Sequence, residues 1–411
     1  MDGNRGAGAP APLTAYQWRL IGFLSVATFF EGYDFLALSQ ILPELRAEWS
    51  LTEGQAGALV AVANVGTVAA YGLVRLADRW GRRPVLTLTI AGYTIATLLS
   101  GFAPDVWAFG ILQLLARVFL IAEWAICMVY AAEEFPADRR GLVIGVIQAF
   151  SAFGAIFCAA VVPALVRFGS WRAVFFAGIL PLILVAFARR SLAETKRFEA
   201  RDTRAPRDFF AVWRLGYGRR LLQIAAIWAA TYLCTQTGVA FWKEFVTRER
   251  GFTNDDVALS MTIAALGSLP LLFGVGKLID VLGRRKGAVV IFVLTALGVL
   301  GSYNLHGQTA LTAALVLGIF GSSAVLPVLN AFTTELFPTE VRSDAYAWAN
   351  NLLGRTSYVL APLVVGQLAT TWGWGPSVSL TVVGPVVALV LILAWMPETR
   401  GRELEDSAAL H

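Results

Sequence analysis

Charge is scarce in this chain. Of its 411 residues, 33 are Lys or Arg and 28 are Asp or Glu, a charged fraction of 15 %, against about 25 % in a soluble domain. With 57 % hydrophobic residues and 38 glycines besides, too few polar side chains remain to cover a water-soluble globule of this length. Cysteine is rarer still. Cys127, Cys158 and Cys234 all fall in apolar stretches, with neither a disulfide framework nor a zinc spacing among them. The two histidines, His306 and His411, form no metal cluster, and no cofactor is expected. The chain has no Walker A loop, no G-x-S-x-G and no H-E-x-x-H, so neither a nucleotide site nor a familiar hydrolase is expected, and the protein reads as no enzyme. The first twelve residues lack the basic-then-apolar form of a cleavable signal.

What remains is an all-α polytopic membrane protein. A helix crosses a bilayer with about 20 apolar residues. Apolar runs bounded by charges or Gly/Pro clusters predict twelve spans, at about 18–42, 54–76, 84–103, 107–132, 141–166, 172–188, 220–243, 257–279, 286–305, 308–334, 342–370 and 376–396. The runs are continuous rather than alternating, which excludes a β-barrel. With cytoplasmic termini, 25 of the Lys/Arg residues fall on inside segments and six on outside segments, with two in the membrane. That excess orients the chain, and the net charge of +5 reflects it rather than nucleic-acid binding. Residues 1–17 and 397–411 then form cytoplasmic tails. Residues 18–188 and 220–396 form two six-helix bundles, and 189–219 a basic cytoplasmic linker.

The halves repeat. Leu76-Ala-Asp78-Arg-Trp-Gly81-Arg82-Arg83 recurs as Leu278-Ile-Asp280-Val-Leu-Gly283-Arg284-Arg285, 202 residues on. Glu133-Glu-Phe135-Pro136, followed by Arg140, recurs as Glu335-Leu-Phe337-Pro338, followed by Arg342, at the same offset. Ala193-Glu194-Thr195-Lys196 is echoed by Pro397-Glu398-Thr399-Arg400. Each first motif marks a very short loop between spans: Gly81 and Gly283 permit the tight turn, and Asp78 and Asp280 can pair with basic groups or a helix N-terminus.

These motifs, in this order, resemble the major facilitator superfamily over about residues 18–405. The resemblance implies two six-helix bundles related as parallel repeats, alternating access, and a cavity lined by spans 1, 4, 7 and 10 with 2, 5, 8 and 11 flanking. A functional monomer in a cell membrane, such as the bacterial inner membrane, is expected.

Five ionisable residues fall well inside predicted spans: Glu31 and Asp34 in span 1, Arg117 and Glu123 in span 4, and Arg355 in span 11. A charge in lipid costs a few kcal/mol or more, so each should face a cavity or a partner. Glu31 and Asp34 share a helix face, and two close carboxylates suit proton carriage. An arginine presents a fixed planar fork to a carboxylate. Accordingly, Asp34, Glu31 and Glu123 are the candidates for proton coupling, and Arg355 and Arg117 for holding an anionic substrate. The alternative is that these residues pair with one another to stiffen the bundles, and for Arg117 a pair with an acidic neighbour takes precedence. Glu31-Gly-Tyr-Asp34 resembles the D-G-x-D region of aromatic acid:proton symporters and the E-W-x-D of metabolite:proton symporters. Asn351-Leu-Leu-Gly354-Arg355, with Ala361-Pro362 following, resembles their G-R-x-G…P pattern. The resemblance makes Asp34 the proton-linked acid and Arg355 a substrate or gate arginine.

Tyr33, Asn64, Gln148, Trp228, Tyr232, Gln236, Asn330, Asn350 and Asn351 complete the candidate cavity. Packing or interhelical hydrogen bonding competes with substrate contact at each of them. Trp242-Lys243-Glu244 reads as an interfacial anchor at the outer end of span 7. The expected function is proton symport of a small organic acid. Proton-driven efflux of a drug or metabolite, sugar or metabolite transport on the same fold, and a non-transporting membrane sensor are the alternatives.

Overall fold

Among the described residues three helices start on capping boxes: Thr14 with Gln17, Thr52 with Gln55, and Thr253 with Asp256. In each, the threonine hydroxyl accepts from the third helical N–H while that residue's side chain accepts from the threonine N–H, satisfying two otherwise orphaned donors. The computed structural model describes residues 13–176 and 209–400, apart from residues 136 and 339 and the side chains at 78, 132, 137, 138, 140 and 141. Among the described residues all regular structure is helical.

The first half comprises α1 (Ala15–Trp49), α2 (Glu53–Trp80), α3 (Arg82–Ser100), α4 (Val106–Glu134), α5 (Ala137–Phe168) and α6 (Trp171–Phe176). The second comprises α7 (Ala211–Arg214), α8 (Gly218–Ala240), α9 (Trp242–Glu249), α10 (Asn254–Leu282), α11 (Arg284–Asn304), α12 (Gln308–Glu335) and α13 (Arg342–Tyr346). A π-helix (Ala347–Gly354) follows, then α14 (Thr356–Trp372), α15 (Trp374–Leu380) and α16 (Val383–Trp395). Nine helices among the described residues are long and apolar enough to cross a membrane, and α8 with α9, bent by 47°, make a tenth. Of the twelve expected spans, span 3 is present as α3, which is not among those ten. Span 6 begins as α6; its remainder and the linker up to residue 208 lie outside the described residues, and the end of the linker carries α7 and the first turn of α8. Outward-facing side chains such as Phe168 and Phe273, 86 % and 84 % exposed, suit a helix bundle whose solvent is lipid.

Within the first half, α1 and α5 touch backbone to backbone. A Cβ at Gly32 would lie 1.9 Å from the Ser151 carbonyl oxygen, and one at Gly154 1.8 Å from that of Phe29. Between the halves, α2 lies against α14 and α5 against α10. One apolar core joins both halves, including Leu42 and Leu45 from α1 and Trp242 and Phe245 from α9. Each half also has a core of its own.

The sequence repeat survives in space. Gly81 and Gly283 have φ of 100° and 89° and join α2 to α3 and α10 to α11. Arg82 donates to the Ala77 carbonyl at 2.9 Å and pairs with Glu133 at 3.0 Å. Arg284, 202 residues on, donates to the Ile279 carbonyl at 3.2 Å and pairs with Glu335 at 3.0 Å. It also pairs with Asp280 at 2.7 Å, whereas the Asp78 side chain lies outside the described residues. Arg285 donates to the Leu393 carbonyl. We call this end of the bundle, which also holds the start of α1, proximal, and the α1–α2 turn distal.

The tail motif belongs to the same network. Glu398 accepts from the backbone N–H of Arg284 at 2.8 Å and of Arg285 at 3.0 Å, capping α11, and Thr399 donates to Glu335. Partial burial would raise the Glu398 carboxyl, but the N–H groups of Arg285, Arg284, Arg400 and Thr399 outweigh it and hold the carboxyl below its usual range. A lowered folded-state pKa stabilises above the unfolded value of about 4.3, and the contribution is lost as pH falls through the folded one. Glu398→Ala is therefore expected to cost about 1 kcal/mol at neutral pH. Melting of the detergent-solubilised protein should show that gap closing below about pH 4.

Candidate functional site

An unbroken α1 carries Glu31 and Asp34 through the middle of the first half. The shared face expected from their spacing is divided by their neighbours. Glu31, 6 % exposed, accepts from Ser151 of α5 at 2.6 Å. Asp34 turns to α3, where Thr97 donates to it at 3.4 Å, and its other carboxylate oxygen is buried without a partner.

Arg117 corrects an expectation. Among the described residues it pairs with no acidic neighbour: its guanidinium lies 4.6 Å from the centre of the Phe35 ring and donates, at 3.5 Å, to the Phe35 carbonyl. It is 6 % exposed, and the charges of Glu31, Asp34 and Arg355 reach it with no ion pair to either carboxylate. Beside it, Asp34, Thr97, Gln113 and Phe175 line a cavity with room for a water.

Arg355 stands where the π-helix gives way to α14. Its backbone N–H donates to the Asn350 carbonyl five residues back, at 3.0 Å, the bond that widens an α-helix into a π-turn. Its guanidinium sits 5.8 Å from the centre of the Tyr358 ring, with Nε buried and unpartnered. Around it, Tyr232 donates to Asn350 Oδ1 at 2.7 Å. Asn350 Nδ2 donates to the Tyr346 hydroxyl at 2.9 Å, and Tyr346 to Asn330 Oδ1 at 3.1 Å. The Tyr232 ring meets Tyr358 edge-on at 4.5 Å and Trp228 at 5.2 Å. Asn64 of α2 donates to the Tyr358 carbonyl at 2.8 Å, tying the halves together at this level.

The structure thus gathers Trp228, Tyr232, Asn330 and Arg355 into one aromatic and polar cluster, and Glu31, Asp34 and Arg117 across from it. Other candidates lie elsewhere. The Tyr33 hydroxyl is spent on the Val174 carbonyl at 3.0 Å, docking α6. Gln148 is exposed, near the Met128 sulfur at 3.9 Å. Gln236 and Asn351 are half-buried. Glu123 is fully buried and accepts from the Cys127 thiol at 3.0 Å, with its second oxygen unpartnered.

Sequence reasoning missed Tyr346, Tyr358, Thr97 and Ser151, which carry no charge and look like ordinary helix residues. It also misread the distal end. Lys243 and Glu244 are no interfacial anchor, being 2 % and 0 % exposed. Lys243 of α9 pairs with Glu44 of α1 at 2.9 Å and donates to the Gln40 carbonyl. Arg46 of α1 pairs with Glu244 of α9 and, at 2.5 Å, with Glu53 of α2. Further out, Arg167 of α5 pairs with Asp255 of α10 at 2.6 Å. All three cross-half pairs close the distal end.

Comparison with known proteins agrees with this architecture. Among curated relatives, the "Probable 4-methylmuconolactone transporter" of Cupriavidus pinatubonensis is 29 % identical over 92 % of this chain and 89 % of its own length. The gallate transporter of Pseudomonas putida is 26 % identical over 93 % and 92 %. Among solved structures, the xylose transporter XylE of E. coli in an inward open conformation superposes with a TM-score of 0.75 over 95 % of this chain and 99 % of its own, at 17 % identity. The family model of the Major Facilitator Superfamily matches residues 24–244 and 229–409, one stretch for each half. The chain belongs to the Major Facilitator Superfamily and is a membrane transporter rather than an enzyme.

Proposed function

We propose that this transporter carries a small organic acid, with an aromatic carboxylate as the favoured case, together with protons by alternating access. The observation that carries the reading is the pair of arginines. Arg117, which is buried, and Arg355, which is half-buried, come one from each half and have no carboxylate within ion-pair distance among the described residues. A charge withdrawn from water without a counter-ion is costly, most of all at the buried Arg117, and a bound anion offsets that cost. The rings of Trp228, Tyr232 and Tyr358 beside Arg355 suit a planar substrate, as do relatives named for gallate and 4-methylmuconolactone.

Proton coupling falls to Asp34, Glu31 and Glu123, which are acidic, buried in part or fully, and without a direct ion pair among the described residues. In the cycle, the carboxylates take protons from outside, the anion docks on Arg355 and Arg117, the halves rock, and both cargoes leave inward. With both termini cytoplasmic, the distal pairs Arg46–Glu244, Lys243–Glu44 and Arg167–Asp255 form the outer seal, and the Gly81 and Gly283 hairpins the cytoplasmic struts. The two bundles, at 18–188 and 220–396, are the rocking units, and a monomer suffices.

The test is uptake by the purified full-length protein in proteoliposomes under an imposed pH gradient, against a panel of aromatic and aliphatic carboxylates. Gradient-driven accumulation of a carboxylate, reduced to the level of empty liposomes by Asp34→Asn, is the expected outcome. Export of a hydrophobic compound with no carboxylate uptake overturns the reading.

A further inference from the structure

Among the polar atoms of the first half that are buried without a hydrogen-bond partner among the described residues are Asp34 Oδ1 on α1, the Tyr93 hydroxyl on α3 and Glu123 Oε2 on α4. They belong to one neighbourhood. Thr97, which donates to Asp34, is four residues from Tyr93 and shares its helix face. Gly92 packs on Phe119, whose ring a Cβ there would meet at 2.7 Å, and Phe119 is one turn from Glu123 on α4. Tyr93 is fully buried in a core that contains Leu120 and Cys127. Glu123, Asp34 and Cys127 are the ionisable groups whose charge reaches its hydroxyl, and the neighbouring Thr94 hydroxyl, which donates to the Ile90 carbonyl at 2.8 Å, lies close to it.

We infer that Tyr93 is a proton-relay residue linking Asp34 to Glu123 through bound water. The inference rests on the proton coupling proposed above and adds the route. Leaving a buried polar atom unpaired costs about 1–3 kcal/mol, and such atoms are rarely left so. Water satisfies them where the site is polar and roomy, and the cavity lined by Asp34 and Thr97 provides the room at one end. Packing alone would be served by phenylalanine, so the hydroxyl is the part that needs a role.

The order along the axis is consistent. Tyr93 lies about 6 Å nearer the proximal end than Thr97, and Glu123 about 9 Å nearer it than Arg117. In the relay, protonated Asp34 gives its proton to a water, and the water gives one to the Tyr93 oxygen. Tyr93 passes its own proton, through a second water, to the Glu123 carboxylate. Tyr93 is neutral before and after, Asp34 ends as carboxylate and Glu123 as acid. The Cys127 thiol, which donates to Glu123, steadies the carboxylate while it waits. The proton thereby leaves Asp34 without entering the space between Arg117 and Arg355.

Two measurements on the full-length protein test this. The first needs no substrate. Infrared difference spectra between high and low pH should contain carbonyl bands of protonated Asp34 and Glu123, assigned by their loss in Asp34→Asn and Glu123→Gln. Tyr93→Phe should shift both bands, and Thr97→Val the Asp34 band alone. Unshifted bands in a folded Tyr93→Phe protein overturn the relay. The second uses proteoliposomes with gallate as probe and compares pH-gradient-driven net uptake with gallate exchange. Tyr93→Phe should lower the ratio of net uptake to exchange by at least about tenfold, the effect of removing a proton-transfer group. Equal losses in both signify a merely structural role and overturn the relay alone. A wild type that accumulates gallate without moving protons overturns the coupling, and the relay with it.

Discussion

Arg355→Ala is expected to weaken carboxylate binding by about 2–5 kcal/mol, the cost of truncating one partner of a buried charge pair. The large effect follows from what surrounds the residue. No carboxylate among the described residues pairs with it, the Tyr358 ring lies 5.8 Å from its guanidinium, and Tyr232 and Asn350 belong to the same cluster. Those neighbours stabilise a planar ligand by contact, but none supplies positive charge. Arg355→Lys should recover only part of the loss, because a compact ammonium cannot reproduce a bidentate fork. Carboxylate-dependent melting shifts of the purified protein measure both variants. An Arg355→Ala protein with full affinity would remove the residue from the site. The same comparison for Arg117 separates the two halves' contributions, since Arg117 already spends part of its charge on the Phe35 ring and carbonyl.

The second large effect concerns the distal seal. Glu244 is completely buried and holds Arg46 from across the half interface. Removing one partner of a buried pair costs about 3–5 kcal/mol, because the other charge is left uncompensated. Arg46 keeps Glu53 at 2.5 Å and the Leu51 carbonyl at 3.1 Å, which sets Glu244→Ala at the lower end. That cost falls on the closed distal end and is relieved when the halves part and water reaches Arg46. About 3 kcal/mol is roughly a hundredfold in a population ratio. A cysteine at Gln40, 1 % exposed in the sealed interface, should therefore become much more reactive to a membrane-impermeant thiol reagent in the Glu244→Ala background. Glu244→Asp, which keeps the charge on a shorter side chain, should recover part of the protection. Unchanged reactivity would mean that apolar packing of α1 against α9, and not the ion pairs, keeps the end shut.

Both predictions depend on features with different visibility in the chain. Charges in the middle of apolar runs stand out, because lipid tolerates them only at a cost, so Glu31, Asp34, Arg117, Glu123 and Arg355 were legible at once. The hairpins were legible because they repeat at a fixed offset, and the same offset reappears in the contacts of Arg82 and Arg284. Tyr346, Tyr358, Thr97 and Tyr93 were not legible, since an uncharged residue in an apolar helix gives no sign of which neighbour its hydroxyl will meet. The π-helix before Arg355 was hidden for a similar reason: Ala347–Gly354 is sound α-helical sequence, and the wider turn is set by packing, with Gly354 pressed against Trp228.

Composition, periodicity and repetition by themselves determined that the chain is a helical membrane protein made of two related halves, because burial in lipid and short loops constrain every residue along the chain. They also named the costly charges. Which of those charges meet was decided only by the tertiary structure. Helical spacing placed Glu31 and Asp34 on one face, yet α5 holds one and α3 the other. Lys243, Glu244 and Arg46 looked like loop or interface residues, yet they are the buried clasp between the halves. The physical reason is range. Hydrophobic cost acts on each residue where it stands, whereas an ion pair or hydrogen bond exists only between groups that folding brings within about 3 Å of each other.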